Sequence, residues 1–422
     1  MEETKTKYRP TIEAIEAAAE KLRGIASVTP LVKNARYSKH FGANIYFKRE
    51  DLQEVRSYKI RGAYNKISSL NSNQIENGIV CASAGNHAQG VAISCKLLKI
   101  KGTIFMPSPT PNQKIEQVKM FGEDYVDVIL IGDTFDDAYE AAMQQSEELN
   151  KTFVHPFNDE KVIEGQATVG LEIIDQAQEH PIDYVFVPVG GGGLAAGLSS
   201  VFKLLSPQTK IISVEPKGAA AMLTSIRANK NIQLDSIDSF VDGAAVKRVG
   251  DLNFAICKET LHRVVTVDEG KICQTILELY NKDAIVVEPA GALSLSALEQ
   301  FAEEIRGKNV VCVISGSNND ITRTAEIKER ALLYANLKHY FIVKFPQRTG
   351  ALRDFVVDIL GPNDDITHFE YTKKANREND VAVVGLQLKS PEDLEPLITK
   401  MKQHNFFGDY LNDKPDLFQF LV

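Results

Sequence analysis

The stretch from residue 184 to residue 205, YVFVPVGGGGLAAGLSSVFKLL, decides the fold class. It opens as a continuous apolar run through Val189, closes with helical spacing, and joins the two by Gly190, Gly191, Gly192 and Gly193. A strand whose apolar positions are continuous rather than alternating is buried on both faces, as in parallel sheets covered by helices. Glycines at such a turn let several N–H groups point inward, and the helix dipole adds partial positive charge. The loop suits a phosphate or carboxylate. A merely flexible loop is the plainer reading, and the entropy cost of four consecutive glycines argues against it.

The same residues admit a rival. Gly190, Gly192 and Ala195 fit a loose G-x-G-x-x-G/A pattern, and the next strand ends in Glu215, where a ribose-binding acid is expected. On these residues alone, a nicotinamide oxidoreductase competes with a monophosphate site.

Outward from the glycine run, apolar runs alternate with amphipathic helical patterns: GIVCAS (78–83), KGTIFM (101–106), DVILIG (127–132), TFVHP (152–156), KIISVEP (210–216), RVVTVDE (263–269) and NVVCVIS (309–315). An α/β architecture with parallel-rich sheets and crossover helices follows. After a helical stretch at about 320–337 the rhythm changes. HYFIVKFP (339–346), GALRDFVVDIL (350–360), DITHFEYTKK (365–374), NDVAVVGLQL (379–388) and PEDLEPLITKMKQHN (391–405) predict a β-α-β-β-α order. That order is an α+β ferredoxin-like unit, with the domain boundary near Asn336.

The 422 residues exceed what one core usually serves, so two or more domains are expected. A net charge of -8 without a basic stripe argues against nucleic acid. Cys81, Cys95, Cys257, Cys273 and Cys312 form no CxxC pair and read as reduced core residues of a cytoplasmic protein. The N-terminus carries no apolar h-region, and no stretch approaches the roughly 18 apolar residues of a membrane span. Neither export nor a membrane partner is expected.

Two further strand ends have unusual composition. CASAGNHAQGVAISCKLL (81–98) places Ser83, Ala84 and Gly85 in a tight turn whose N–H groups suit a carboxylate. Asn86 also fits a plain helix N-cap, and a lone histidine such as His87 is more often a satisfied structural residue than a base. VVCVISGSNND (310–320) puts Ser315, Gly316 and Ser317 at a strand end, where plain turn formers also occur.

Near the start, VRSYKIRGAYN (55–65) reads as a helix onset. At about 100° per residue Ile60, Ala63, Tyr64, Ile67 and Leu70 form an apolar stripe, with Arg61, Asn65, Ser68 and Ser69 opposite. Lys59 falls at the edge of the stripe. A desolvated amine there has a lowered pKa and serves as nucleophile and base, whereas a snorkelling lysine, the reading given to Lys66, does neither. Wheel geometry leaves Lys59 open between the two.

In order, SYKIRGAYN, SAGNHAQGVA, PVGGGGLAAG, EPAGA and SGSN resemble the pyridoxal-phosphate enzymes of the tryptophan-synthase-β fold, most closely the biosynthetic threonine dehydratase family. The resemblance runs over nearly the whole chain. It implies a two-lobed catalytic domain over residues 1–335, with a smaller lobe at about 45–155, and a C-terminal ACT-like domain over 336–422. It implies that Lys59 carries pyridoxal 5'-phosphate as a Schiff base, that Tyr58 lies against the ring and that Asn86 bonds the ring hydroxyl. Gly190 to Gly193 and the N–H of Leu194 would hold the phosphate. Ser315 would face the pyridine nitrogen, and Ser83, Ala84 and Gly85 would receive the substrate carboxylate. The dinucleotide pattern then dissolves, and Glu215 takes a structural or rim role.

By the same resemblance L-threonine is dehydrated and deaminated to 2-oxobutanoate and ammonia on the way to isoleucine. Serine dehydratase and threonine synthase are the rivals within the fold, and a non-catalytic amino-acid sensor is the rival outside it. Serine racemases of this fold carry a serine where Ala84 stands, so racemisation is disfavoured. Their divalent site needs acids after the VEP strand end, where KGAAA (217–221) follows here, so no such divalent metal site is expected, while a monovalent cation stays open. FPQRTGALRDF (345–355) resembles the strand–loop–helix of ACT-like domains, with N–H groups near Thr349–Ala351 for an effector carboxylate. Isoleucine is the expected inhibitor, valine a possible antagonist, and a homotetramer the expected assembly.

Overall fold

A computed structural model describes residues 8–178, 180–372 and 379–414. The chain divides into two compact units between Asp320 and Ile321. In the first unit the strands are β1 (Leu31–Lys33), β2 (Asn44–Arg49), β3 (Ile79–Ala82), β4 (Gly102–Met106), β5 (Val126–Leu130), β6 (Thr152–Phe153), β7 (Tyr184–Pro188), β8 (Lys210–Pro216), β9 (Arg263–Val267) and β10 (Asn309–Ile314). They form a six-stranded sheet in the order β1-β2-β10-β7-β8-β9 and a four-stranded sheet in the order β5-β4-β3-β6. Every pair is parallel except β1 with β2.

All the expected strands form where the apolar runs placed them, and β3, β4 and β7 are buried at every residue. The expected smaller lobe is narrower at its start, because β2 pairs with β10 (Ile45 with Val310) and so belongs to the large sheet. The large core joins Val185, Val187, Leu198, Phe202, Val311 and Val313. The smaller core joins Ile79, Cys81, Val91, Ile104 and Met106 to Ile60, Ala63 and Ile67 of the helix Lys59–Ile67. Each fully buried Ile contributes about 1.5–3 kcal/mol over an exposed one. All five cysteines are buried and free.

Parallel order fixes where the loops lie. β10 sits beside β7, so Ser315 and the glycine run leave neighbouring strand ends. β3 sits beside β6, so Ser83 and the turn at 154–158 also leave neighbouring ends.

The helix Lys59–Ile67 departs from the two-faced reading. Arg61 and Asn65, expected on a polar face, are both 1% exposed. Asn65 donates to the Lys161 carbonyl at 2.8 Å. Arg61 donates to both oxygens of Glu50 at 2.8 Å and to both of Glu172 at 2.6 and 3.0 Å, while Lys48 binds Glu172 from the other side at 2.5 Å. Lys66 does not snorkel; it pairs with Asp159 at 2.6 Å. Packing on two sides follows from glycines: a Cβ on Gly165 would lie 2.5 Å from the Arg61 carbonyl, and one on Gly90 would lie 3.0 Å from that of Lys59.

The second unit carries β11 (Lys338–Pro346), β12 (Asp365–Thr372), β13 (Asn379–Gln387) and β14 (Phe407–Tyr410) in the antiparallel order β12-β13-β11-β14. β14, absent from the sequence reading, completes a β-α-β-β-α-β unit. The helix Thr324–Tyr334 belongs to this unit, ahead of Asn336, because Glu329 accepts from Tyr340 and pairs with Lys338 of β11. The expected helix at 350–360 is α-helical only over Ala351–Asp354 and continues as a π-helix over Phe355–Ile359. The ends of the expected strand at 365–374 and of the ACT-like domain at 415–422 lie outside the described residues. Among the described residues no helix is long and apolar enough to cross a membrane.

Candidate active site

Lys59 is the first residue of its helix, and its amine donates to the Pro156 carbonyl at 3.0 Å. Burial lowers its pKa to about 8, with Glu288 opposing the shift. The Tyr58 ring lies 5.5 Å from the amine, within cation–π range. The Tyr58 N–H donates to the Ser315 carbonyl at 3.2 Å, and Ser57 bridges Gly316. Lys59 and Ser315, far apart in sequence, are therefore held to one place. Ser315 is 3% exposed, and beside it the buried hydroxyl of Ser57 has no hydrogen-bond partner among the described residues.

The glycine run leads into the helix Gly193–Leu205, with Gly192 at φ +90°, a left-handed conformation that L side chains rarely adopt. A Cβ on Gly191 would strike the Phe157 ring, and the Gly191 carbonyl accepts from Asn253 at 2.7 Å and from the Gly250 N–H at 3.1 Å. The run is thus shaped by its neighbours as much as by any anion. Phe157 follows Pro156 directly, so one short turn contacts both Lys59 and the glycines. The N–H groups of Gly190, Gly191 and Gly192 have no acceptor among the described residues, and the first N–H groups of the helix, at Gly193 and Leu194, have none by helix geometry.

At the end of β3 the Gly85 N–H meets the Ser83 hydroxyl at 3.3 Å, and a Cβ on Gly85 would meet nothing within 4 Å. Ser83, Ala84 and Gly85 are partly exposed at the start of the helix Asn86–Leu98, but the Ser83 N–H donates to the Phe105 carbonyl at 3.1 Å, so of the turn's N–H groups, expected to be open to a carboxylate, only that of Ala84 has no acceptor among the described residues. Asn86 does not N-cap that helix; its amide donates to Glu288 at 2.7 Å and accepts from Asn318 at 2.6 Å. His87 is structural. Its Nε2 bonds the Val154 carbonyl at 3.0 Å, and burial followed by Lys59 lowers its pKa to about 3, so the ring is neutral. Glu215 accepts from the Met222 and Leu223 N–H groups at 2.7 and 2.8 Å, capping the helix Ala221–Arg227, and burial raises its pKa to about 8.

Sequence reasoning assigned nothing to Glu288, Asn318 or Pro156. Glu288 opens the EPAGA motif and Asn318 closes SGSN, so the motifs pointed to the right segments without naming the side chains. The donor set fits pyridoxal phosphate: unbonded N–H groups in a glycine run, a lysine amine whose pKa burial lowers to about 8, and a neutral serine hydroxyl.

The sequence pattern of the pyridoxal-phosphate dependent enzymes matches residues 22–316, and that of the C-terminal regulatory domain of threonine dehydratase matches residues 329–421. L-threonine dehydratase biosynthetic IlvA of Halalkalibacterium halodurans is 52% identical over 97% of this chain and 99% of the relative. The protein of the same name from Bacillus subtilis (strain 168) is 52% identical over 97% of each chain.

The chain belongs to the pyridoxal-phosphate-dependent threonine dehydratases.

The family's fold extends to solved structures. The processed form of threonine deaminase isoform 2 from Solanum lycopersicum is 38% identical, with a TM-score of 0.72 over 77% of this chain and 90% of that one. Maize serine racemase is 30% identical, with a TM-score of 0.71 over 78% of this chain and 99% of that one. Membership makes pyridoxal phosphate the cofactor and accounts for a second unit with an antiparallel sheet.

Proposed function

We propose that this protein converts L-threonine to 2-oxobutanoate and ammonia, the first committed step toward isoleucine, with Lys59 as the cofactor-bearing lysine and Cα base. The observation that carries the reading is the Lys59 amine, held at 3.0 Å on the Pro156 carbonyl with a pKa lowered to about 8, beside the glycine run.

When bound, pyridoxal phosphate supplies an aldehyde that an amine can join and a conjugated ring that withdraws electrons from the substrate Cα. The N–H groups of Gly190 to Gly193 and Leu194 hold the phosphate. Asn86 donates to the ring hydroxyl, and Tyr58 flanks the ring. Ser315 would offer the ring nitrogen a neutral hydroxyl in place of a charged partner. Ser83, Ala84 and Gly85 orient the substrate carboxylate. Lys59, neutral in part at physiological pH, takes the Cα proton. Ala84 has no hydroxyl to move a proton on the opposite face, which disfavours racemisation.

The second unit is read as the sensor of isoleucine, with valine as antagonist and the loop at Thr349–Ala351 as the effector's carboxylate contact. The reading includes a cytoplasmic homotetramer. The test is a steady-state assay with threonine and with serine, each repeated with isoleucine. Formation of 2-oxobutanoate from threonine, lost in Lys59→Ala and depressed by isoleucine, supports it. Threonine left unchanged by a protein that holds the cofactor would sink it.

A further inference from the structure

Glu288 lies among residues from distant segments of the first unit. Its Oε1 accepts from Asn86 Nδ2 at 2.7 Å, and Asn86 is the carboxyl group's one hydrogen-bond partner among the described residues. A Cβ on Gly316 would strike the same oxygen, and one on Gly243 would meet it at 3.6 Å. Both glycines thus leave the space the carboxyl fills. The side chain is 4% exposed, and no residue of its own helix, Pro289–Ser296, holds it.

Asn86 is held from its other end as well. Asn318 Nδ2 lies 2.9 Å from the Val55 carbonyl, 2.8 Å from Gln89 Oε1 and 2.6 Å from Asn86 Oδ1. A backbone carbonyl only accepts, so Asn318 must turn its NH2 toward this group. Gln89 spends its own NH2 on Gln117 Oε1 at 2.8 Å, which leaves its oxygen facing Asn318. Two hydrogens serve these three acceptors; the shortest contact, 2.6 Å, sets Asn86 Oδ1 toward Asn318, and Nδ2 then faces the Glu288 carboxylate, which when ionised only accepts. The chain Val55–Asn318–Asn86–Glu288 is thus bounded by a carbonyl at one end and a carboxylate at the other, and one hydrogen of Asn86 Nδ2 is left without an acceptor among the described residues.

We propose that Glu288 is a positioning residue for the cofactor: acting with Asn318, it fixes the Asn86 amide so that its remaining N–H is presented to the cofactor ring hydroxyl. This rests on the reading of Asn86 as the contact to that hydroxyl. The groups facing Glu288 are Asp242, Lys114 and Lys59, with Lys114 and Asp242 paired to each other. Burial, then Asp242, raise the Glu288 pKa to about 7, against Asn86, Lys114 and Lys59, so its charge changes within the working range of an enzyme.

A double-mutant cycle on the holoenzyme tests this, reading the cofactor dissociation constant and the visible absorbance of the bound cofactor as functions of pH. Glu288→Leu is expected to weaken cofactor binding about tenfold or more, the size of a hydrogen bond to a charged group. In an Asn86→Ala background the same change is expected to add little. Glu288→Gln keeps an acceptor for Asn86, so affinity stays near wild type while any step in the absorbance near pH 7 disappears. Losses that add in the double variant, or a Glu288→Gln protein that loses cofactor as Asn86→Ala does, overturn the proposal. If Asn86→Ala binds cofactor as wild type does, the ring-hydroxyl assignment falls and this inference with it. Should Glu288→Leu fail to fold, the Glu288→Gln outcome decides alone.

Discussion

The backbone N–H of Tyr58 donates to the carbonyl of Ser315 at 3.2 Å. This bond carries the lysine-bearing helix to the end of the central strand of the large sheet. Neither residue announces the contact locally, yet it sets where the Lys59 amine stands relative to the Ser315 hydroxyl.

The lowered pKa of Lys59 gives a direct expectation. In cofactor-free protein, modification of this amine by a neutral acylating reagent should rise with pH to a midpoint near 8, whereas an ordinary lysine titrates near 10.5. Peptide mapping of the labelled residue across pH checks it. Lys59→Ala should lower threonine turnover by roughly 10³-fold or more, since it removes a base that alone accounts for about 10²–10⁴.

Glycines 85 and 191 should separate steric from chemical roles. Gly191→Ala forces a methyl into the Phe157 ring, and overpacking of this kind costs about 1–3 kcal/mol. Lower thermal stability and weaker cofactor binding should appear together. Gly85→Ala meets nothing within 4 Å, so melting should be unchanged while KM for threonine rises. An unchanged KM would remove Gly85 from the substrate contacts.

The Arg61 network should behave as a unit. Arg61→Ala leaves Glu50, which is fully buried, facing an empty site, and breaking a buried pair costs about 3–5 kcal/mol. Arg61→Lys should not restore it, because an ammonium cannot donate two parallel bonds to each carboxylate. Urea melts of the three proteins measure both.

Glu215 should impose a pH dependence on stability. Its pKa rises from 4.5 unfolded to about 8 folded, so the folded state holds the proton more tightly between those values. Its contribution is fully present below the unfolded value and is lost as pH rises through about 8. Glu215→Gln should flatten the fall in stability over that range; an unchanged pH profile in chemical denaturation would falsify the assignment.

These residues mark where the sequence was legible. β3, β4, β7, β8 and β10 were readable because strands buried on both faces leave continuous apolar runs, and the glycine run was readable because its composition is extreme. Arg61 and Asn65 were misassigned because periodicity treats every polar side chain as solvent-facing, while their partners, Glu172 and Lys161, come from a helix far along the chain. EPAGA marked the segment but not Glu288 itself, since a single carboxylate acquires meaning only when Asn86, Gly243 and Gly316 gather around it. β14 was too short to stand out.

Strand β10 lies between β2 and β7, although it is the last strand of the first unit. The four strands of the smaller sheet are contiguous in sequence and can pair early, whereas β2 must wait for residues near 310 before its second neighbour exists. Closing that gap is the step of highest loop entropy in the unit. A nascent chain halted before Asn309 already contains Lys59 and the glycine run but lacks the strand that seats Ser315. During synthesis, the hydrogen bond from Tyr58 to Ser315 therefore forms only once the catalytic unit is almost entirely made.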